Sequence, residues 1–134
     1  MRIVLDTNVL VSALLTPHGT CAQVVALVRD GQVLPVVDDR VLAEYREVLS
    51  RPRFAVAKEA VAELLALIEE AGAVVIDPPA HDGRVPDPDD LPFIEVAMAG
   101  HAGAVVTGNR THFPADLGVL VLLPAELLDR LGEK

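Results

Sequence analysis

The apolar residues of the chain fall into two patterns, short continuous runs and longer stretches with helical spacing. The continuous runs predict strands over Arg2–Leu5, Val33–Val37, Val74–Ile76, Ala104–Val106 and Val119–Leu122. Apolar positions three and four residues apart predict helices over Thr7–Leu15, Ala22–Arg29, Val41–Leu49, Lys58–Ala71, Leu91–Ala99 and Pro124–Leu131. Because strands alternate with helices and are apolar throughout, the pattern predicts a parallel sheet of about five strands with helices on each side.

Residues that cap helices or break regular structure separate these segments. Thr20 is predicted to cap the second helix. The segment Asp77–Asp90 holds four prolines and is predicted to be a loop, and Thr107–Pro114 is predicted to be a polar loop with one helical turn. We find no repeat or linker, and therefore predict a single domain over residues 1–134.

Composition indicates a folded protein of the cytoplasm. Hydrophobic residues make up 51% of the chain and aromatic residues 3%, so we expect a core of Val, Leu, Ile and Ala. The lone cysteine, Cys21, cannot form an internal disulfide, which fits a reducing cytosol, and we predict that it is a small buried apolar residue. We expect no membrane span. Asp6 and Asn8 interrupt the apolar N-terminus, so we interpret it as a buried strand leading into a helix and not as a signal peptide.

The net charge of −9 argues against a non-specific nucleic-acid binder, since such proteins normally carry a basic face. The charge does not argue against an enzyme that binds phosphate through metal ions. Such an enzyme concentrates carboxylates at its site, and the bound cation reverses the local field.

Acidic and polar residues stand at the predicted ends of strands. The segment Asp6–Asn8 follows the first strand and Thr107–Asn109 the fourth. Glu44 lies in the helix after the second strand, and Asp87–Asp90 opens the helix before the fourth. Ligands of parallel α/β sheets bind outside the carboxyl ends of the strands, so we expect these segments to converge. Two unpaired carboxylates about 4 Å apart repel by about 4 kcal/mol at an effective dielectric constant of about 20, and the cluster therefore predicts a bound divalent cation.

Each of these acids alone has a simpler interpretation. Asp6 could cap the following helix, and Glu44 could be a solvated residue of a helix face. The acids of Asp87–Asp90 could cap a helix and stabilise its dipole. Only the arrangement of all the segments at one edge of the sheet favours a metal site.

Four segments resemble the signature of PIN-domain nucleases: V-L-D-T-N-V-L at Val4–Leu10, V-L-A-E-Y at Val41–Tyr45, D-P-D-D-L-P-F at Asp87–Phe93 and T-G-N-R-T-H-F at Thr107–Phe113. They follow the order typical of the family, span nearly the whole chain, and are similar to those of the VapC-like toxin components of bacterial toxin–antitoxin pairs. The resemblance implies an α/β/α sandwich, magnesium or manganese held by three or four acids, and endonucleolytic cleavage of RNA. It also implies an antitoxin protein as partner and a possible homodimer.

The resemblance assigns the metal ligands. It implies that Asp6, Glu44 and Asp90 hold the ion and that Asp87 is an auxiliary ligand. Asn109 stands where the family most often has an aspartate. An amide can offer an oxygen to a metal or hold a water, but it brings no charge, so we predict one well-held ion rather than two.

Other residues are expected to handle the substrate. Thr107 is expected to order the loop after the fourth strand. Asn8 and Asn109 are expected to position water or phosphate, with Asn109 counted among the catalytic residues, and Arg110 is expected to contact the scissile phosphate.

The sequence leaves open the roles of the basic residues and histidines near these segments. Five of the basic residues flank Glu44 in sequence and fit either a phosphate-contacting rim or a solvated helix face: Arg40, Arg46, Arg51, Arg53 and Lys58. The four histidines lack metal-ligand spacing, and we expect surface or loop positions for them. The exception is His112, because it lies in the loop of the site.

Other classes of protein fit less well. A phosphatase of the haloacid dehalogenase type needs a second aspartate where Asn8 stands, and a receiver-type signalling domain with Asp77 as phosphoacceptor lacks its late lysine. A calcium loop over Asp87–Asp89 lacks the required glycine and closing glutamate. A catalytically weak PIN domain that binds RNA or a protein remains an alternative, favoured by Asn109.

Overall fold

The computed structural model describes residues 1–132, apart from the side chain of Arg53, and contains one five-stranded sheet. Its strands are β1 (Arg2–Leu5), β2 (Leu34–Val37), β3 (Ala73–Val74), β4 (Ala104–Val106) and β5 (Val121–Leu122). They lie in the order β3-β2-β1-β4-β5, and each pairing is parallel. The predicted parallel sheet is confirmed.

Helices join the strands and cover the sheet. They are α1 (Thr7–Leu15), α2 (Thr20–Arg29), α3 (Asp39–Leu49), α4 (Lys58–Ala71), α5 (Leu91–Ala99) and α6 (Pro124–Gly132). α5 packs against β1, β2 and β4, whereas α2 contacts α1, α4 and α6. These layers form the α/β/α sandwich that the sequence predicts. Short 3₁₀ turns at Pro88–Asp90 and Arg110–His112 lie in the two loops expected to carry site residues.

β1 lies at the centre of the sheet because it is apolar on both faces. The side chains of Ile3, Val4 and Leu5 are fully buried, as a strand covered by helices on both sides requires. Leu5 pairs with Val106 of β4, so these two neighbouring strands end side by side. The strand order reverses between β1 and β4, and this is the point where such sheets open a crevice for ligands.

Some boundaries differ from the predictions. Thr20 lies inside α2 and Gly19 is its N-cap, because the glycine takes the extended conformation that precedes the helix. β3 begins at Ala73 and ends at Val74, and Ile76, predicted to lie in that strand, is 83% exposed. β5 begins two residues later than predicted, after Gly118 turns the chain in the left-handed region at a φ of 87°.

The single cysteine packs at the edge of the core. Cys21 is partly buried and packs against the core, so it is less buried than predicted. Burial raises the pKa of the Cys21 thiol, and a hydrogen bond with Ser12 opposes the rise.

No single helix within residues 1–132 is long and apolar enough to cross a membrane. α1 and α2 reach that length and composition only as a pair, across a bend of 105°.

Candidate metal centre

The site begins with Asp6, directly after β1. Its backbone N–H donates to the Val106 carbonyl at 2.9 Å, which ties the end of β1 to the end of β4. Its carboxylate Oδ2 accepts a hydrogen bond of 2.7 Å from the hydroxyl of Thr107, the first residue after β4. Asp6 occupies the N-cap position of α1 without a side-chain capping hydrogen bond. The buried carboxylate is therefore held by the residue that follows β4, at the crevice between the two strands.

Glu44 reaches the same crevice from α3. The Thr7 hydroxyl donates a hydrogen bond to Glu44 Oε2, so the residue that follows Asp6 also holds the second acid. The neighbouring Tyr45 is fully buried, and its hydroxyl donates to the Leu5 carbonyl at 2.5 Å. α3 is thereby fixed to the end of β1, which sets the position of Glu44.

Asp90 reaches the crevice from the turn before α5. It ends the 3₁₀ turn that leads into α5, and Asp87 caps that turn by accepting a 3.0 Å hydrogen bond from the Asp89 amide. Phe93, three residues into the helix, packs against Tyr45 with ring centroids 6.4 Å apart. The aromatic contact joins α5 to α3, so the helices that carry Asp90 and Glu44 share one core.

The three acids act on one another electrostatically. Burial raises the pKa of Asp6, although the Thr107 hydrogen bond and His112 oppose the rise. Burial also raises the pKa of Glu44, and the charges of Asp6, Asp89 and Asp87 add to the rise against the Thr7 hydrogen bond. The pKa of Asp90 rises to about 6, through burial and then through Asp6, with Asp87 and Glu44 contributing. The segments predicted to converge do converge.

The donor set fits a hard divalent cation by its chemistry. The acids supply only oxygen, and their mutual repulsion is a free-energy cost that a cation would remove. Within residues 1–132, however, no group of three or more His, Cys, Asp or Glu side chains could hold a metal ion as they now stand. Glu44 and Asp6 are each turned to a threonine hydroxyl instead. Binding an ion would therefore require carboxylate rotations.

Asn8, Asn109 and Arg110 lie at the mouth of the crevice. Asn8 Oδ1 accepts a 3.2 Å hydrogen bond from the Gly108 amide, which links the loops after β1 and β4. Asn109 caps the 3₁₀ turn after it, since its Oδ1 accepts from the Thr111 amide at 3.1 Å. Arg110 is exposed and forms an ion pair with Glu126 of α6. Their expected roles with water and phosphate stay predictions.

His112 also lies at the site. Its position in the loop after β4 was the one indication that the sequence offered. Its Nδ1 lies 3.9 Å from Asp6 Oδ2, and its Nε2 lies 3.3 Å from the amide nitrogen of Asn109. His81 lies elsewhere, where its ring contacts the Leu117 carbonyl at 3.0 Å. Of these two histidines, only His112 faces the acids.

The basic residues near Glu44 pair with acids in the structure. Arg46 and Arg51 form exposed ion pairs with Glu69 and Glu47. Arg40 bridges two buried carboxylates, Asp38 at 2.8 Å and Glu95 at 2.6 Å. The Arg53 side chain lies outside the described residues, and Lys58 begins α4. These pairings favour the charged helix face over the phosphate-contacting rim.

Arg40, Asp38 and Glu95 form a network that sequence reasoning missed. Asp38 caps α3 by accepting from the Val41 amide at 2.9 Å, and the second Glu95 oxygen accepts from the His81 amide at 2.9 Å. The network therefore joins α3, α5 and the loop that leads to Asp90. One signal was visible, because Glu95 is the only charged residue in the otherwise apolar α5.

Asp90→Asn is expected to stabilise the metal-free protein. The folded-state pKa of about 6 lies above the unfolded value of 3.8, so the folded protein loses stability as pH rises through that window. The full shift corresponds to about 3 kcal/mol, but Asp90 is only partly buried, and solvent screening reduces the expected gain to about 1 kcal/mol. Thermal unfolding in chelator should give a higher melting temperature for the variant above pH 6, and the difference should shrink in more acidic buffer. Asp129→Asn, at an exposed position of α6, is the control, and an equal gain there would contradict the prediction.

Comparisons with known proteins agree with this fold. A family model described as PIN domain matches residues 2–111. A search of curated proteins found no match. Among solved structures, the chain is similar to VapBC2 from Rickettsia felis bound to a DNA fragment from their promoter, with a TM-score of 0.59 and 21% identity over 90% of this chain and 97% of that chain. At that identity the likeness shows a shared fold. Since the family model covers most of the chain, the chain belongs to the PIN domain family.

Proposed function

We propose that the protein is a metal-dependent endoribonuclease and the toxin component of a toxin–antitoxin pair. The observation that carries the nuclease proposal is the convergence of Asp6, Glu44 and Asp90, from three separate elements, at the crevice where the strand order reverses. PIN domains are generally nucleases, and the family match covers all three acids.

Asp6, Glu44 and Asp90 would hold Mg²⁺ or Mn²⁺, with Asp87 as an auxiliary ligand. When bound, such an ion supplies a water of lowered pKa and neutralises charge that develops on the phosphate. Thr107 keeps the Asp6 carboxylate in the crevice through its 2.7 Å hydrogen bond. Because the Asn109 oxygen is engaged in capping the following turn, it supports the proposal of one well-held ion.

The mouth of the crevice would bind the RNA. Asn8 and Asn109 lie on the two loops that meet there and would orient water or a phosphate oxygen. Arg110 follows Asn109, and its guanidinium is half exposed in the ion pair with Glu126. A phosphate of the RNA would replace the Glu126 carboxylate as the anionic partner of Arg110.

An antitoxin would cover the crevice when the enzyme is held inactive. The similar solved structure is a VapBC2 assembly, and this chain carries a net charge of −9 with its acids gathered at one edge of the sheet. A partner segment that presents an arginine to these acids would match that charge. We place the pair in the cytoplasm and include a homodimer in the proposal, with the β5–α6 region as a contributor.

A binding role is the second candidate. The absence of a fourth carboxylate at Asn109 favours a PIN domain that binds RNA or protein with little catalysis.

An RNA-cleavage assay with added Mn²⁺, Mg²⁺ or chelator separates the two candidates. We expect internal cuts in a single-stranded RNA pool with either ion and none in chelator, and we expect Mn²⁺ to raise the melting temperature of the protein. Cleavage that persists in excess chelator would exclude the metal-dependent mechanism. RNA retention in a gel-shift assay without cleavage at any metal concentration would support the binding role.

A further inference from the structure

The loop after β4 carries a side-chain relay that ends at Asp6. Its members are Asn109 and His112, and its geometry decides where the imidazole proton lies. The Oδ1 of Asn109 accepts from the Thr111 amide at 3.1 Å and from the Thr111 hydroxyl at 2.6 Å. A backbone N–H can only donate, so this contact fixes which end of the Asn109 amide is oxygen.

The other end of the Asn109 amide is therefore its nitrogen, and it lies 3.3 Å from His112 Nε2. An amide NH₂ group can only donate, so Nε2 must accept with its lone pair. A neutral imidazole with an unprotonated Nε2 carries its proton on Nδ1. Asn109 thus selects the Nδ1–H tautomer of His112.

The protonated Nδ1 faces the first acid of the site. It lies 3.9 Å from Asp6 Oδ2, the oxygen that also accepts the 2.7 Å hydrogen bond from Thr107. At 3.9 Å the N–H acts on the carboxylate through one bridging water or through its dipole. Thr107 and His112 thus place two donors on the same side of the Asp6 carboxylate.

We propose that Asn109 and His112 form a positioning pair for Asp6, in which Asn109 holds His112 as the Nδ1–H tautomer and His112 orients the carboxylate. The inference rests on the proposed function, because Asp6 is placed there as a metal ligand. It gives Asn109 a role of its own, since an aspartate at this position would present a second acceptor to Nε2 and abolish the relay. Partners that orient a metal ligand typically change metal affinity by about 10–100-fold when removed.

The tautomer can be measured without activity. A two-bond ¹H–¹⁵N correlation spectrum of the metal-free full chain, in mildly alkaline buffer, distinguishes the two ring nitrogens of His112. We expect Nδ1 protonated and Nε2 bare in the wild type, and Nε2 protonated in Asn109→Asp. An Nε2–H tautomer in the wild type would overturn the proposal.

The effect on the site is measured as Mn²⁺ affinity by calorimetry. His112→Gln, whose amide reaches toward the Nε2 position, should weaken binding by about 10–100-fold. His112→Asn places its amide nitrogen near the Nδ1 position and should restore affinity to within a few-fold of wild type. If wild type and His112→Gln bind Mn²⁺ with equal affinity while the wild type still cleaves RNA, the positioning pair is overturned and the proposed function is not. A wild-type protein that neither binds Mn²⁺ nor cleaves RNA would overturn the proposed function, and the positioning role with it, whatever tautomer the spectrum shows.

Discussion

Asp6→Asn is expected to lower the rate of metal-dependent RNA cleavage by more than about 100-fold, since loss of a partner that merely orients a ligand already costs about 10–100-fold. Asp6 is the most buried of the three converging acids and stands where β1 and β4 end side by side. Its charge raises the pKa of Glu44 and that of Asp90. Removing that charge therefore weakens the attraction of the whole site for a cation, while the asparagine oxygen can still accept from Thr107.

The fold should survive this substitution. Burial raises the pKa of Asp6, so its charge costs the metal-free protein stability, and the melting temperature in chelator should not fall. The measurement pairs initial cleavage rates with Mn²⁺ affinity for wild type, Asp6→Asn and Asp129→Asn. The exposed Asp129 on α6 serves as the matched control, and Asp129→Asn should cleave at the wild-type rate. A rate for Asp6→Asn above a tenth of the wild-type rate would show that Asp6 is not a metal ligand.

The part of the site that the sequence predicts depends on the backbone alone. Asp6 and Thr107 directly follow apolar runs, and parallel strands end at the same edge of a sheet, so their convergence needs only the fold. The helices after β2 and before β4 bring Glu44 and Asp90 to that edge in the same way. Such positions follow from local patterns because burial and periodicity are read residue by residue along the chain.

Charge pairing between distant segments cannot be read in that way. Arg40 was one of five basic residues beside Glu44, and nothing local distinguished a phosphate contact from a solvated face. Its partner Glu95 lies 55 residues further along the chain, and the pair exists only because α3 and α5 pack together. The charge of Glu95 in the otherwise apolar α5 indicated that this residue has a partner, but it did not indicate which residue the partner is.

Side-chain orientation in the site is the second thing that the sequence leaves open. The sequence shows that Asn109 stands in place of a carboxylate. The contact of Asn109 with Thr111 and its distance to His112, however, depend on the turn at Arg110–His112.

The sequence also leaves open where the edge strands end. Ile76 has the β-branched side chain of a strand residue, yet it lies beyond the last pairing of β3 with β2 and is exposed.

Arg40→Met is expected to lower the free energy of unfolding by about 2 kcal/mol. Breaking a buried ion pair by removing one partner costs about 3–5 kcal/mol, and the half-exposed Arg40 reduces that figure through solvent screening. The reason is that Asp38 and Glu95, both buried, lose the cation that compensates them. Urea unfolding at neutral pH measures the loss. Arg46→Met is the control, because its ion pair with Glu69 is exposed on both sides and should contribute at most about 1 kcal/mol.

The stability lost in Arg40→Met is expected to depend on pH through Glu95. Burial alone would raise the pKa of Glu95, but the hydrogen bonds from the His81 amide and Arg40 outweigh burial and hold it below its ordinary value. A lowered folded-state pKa stabilises the protein above the unfolded value of 4.5, and this stability is lost as pH falls through the folded-state pKa. The difference in unfolding free energy between wild type and Arg40→Met should therefore narrow on acidification. Adding Glu95→Gln to Arg40→Met should recover part of the loss at neutral pH, because it removes one uncompensated charge. A double variant no more stable than Arg40→Met, or a loss equal to that of Arg46→Met, would show that the bridge does not stabilise the fold.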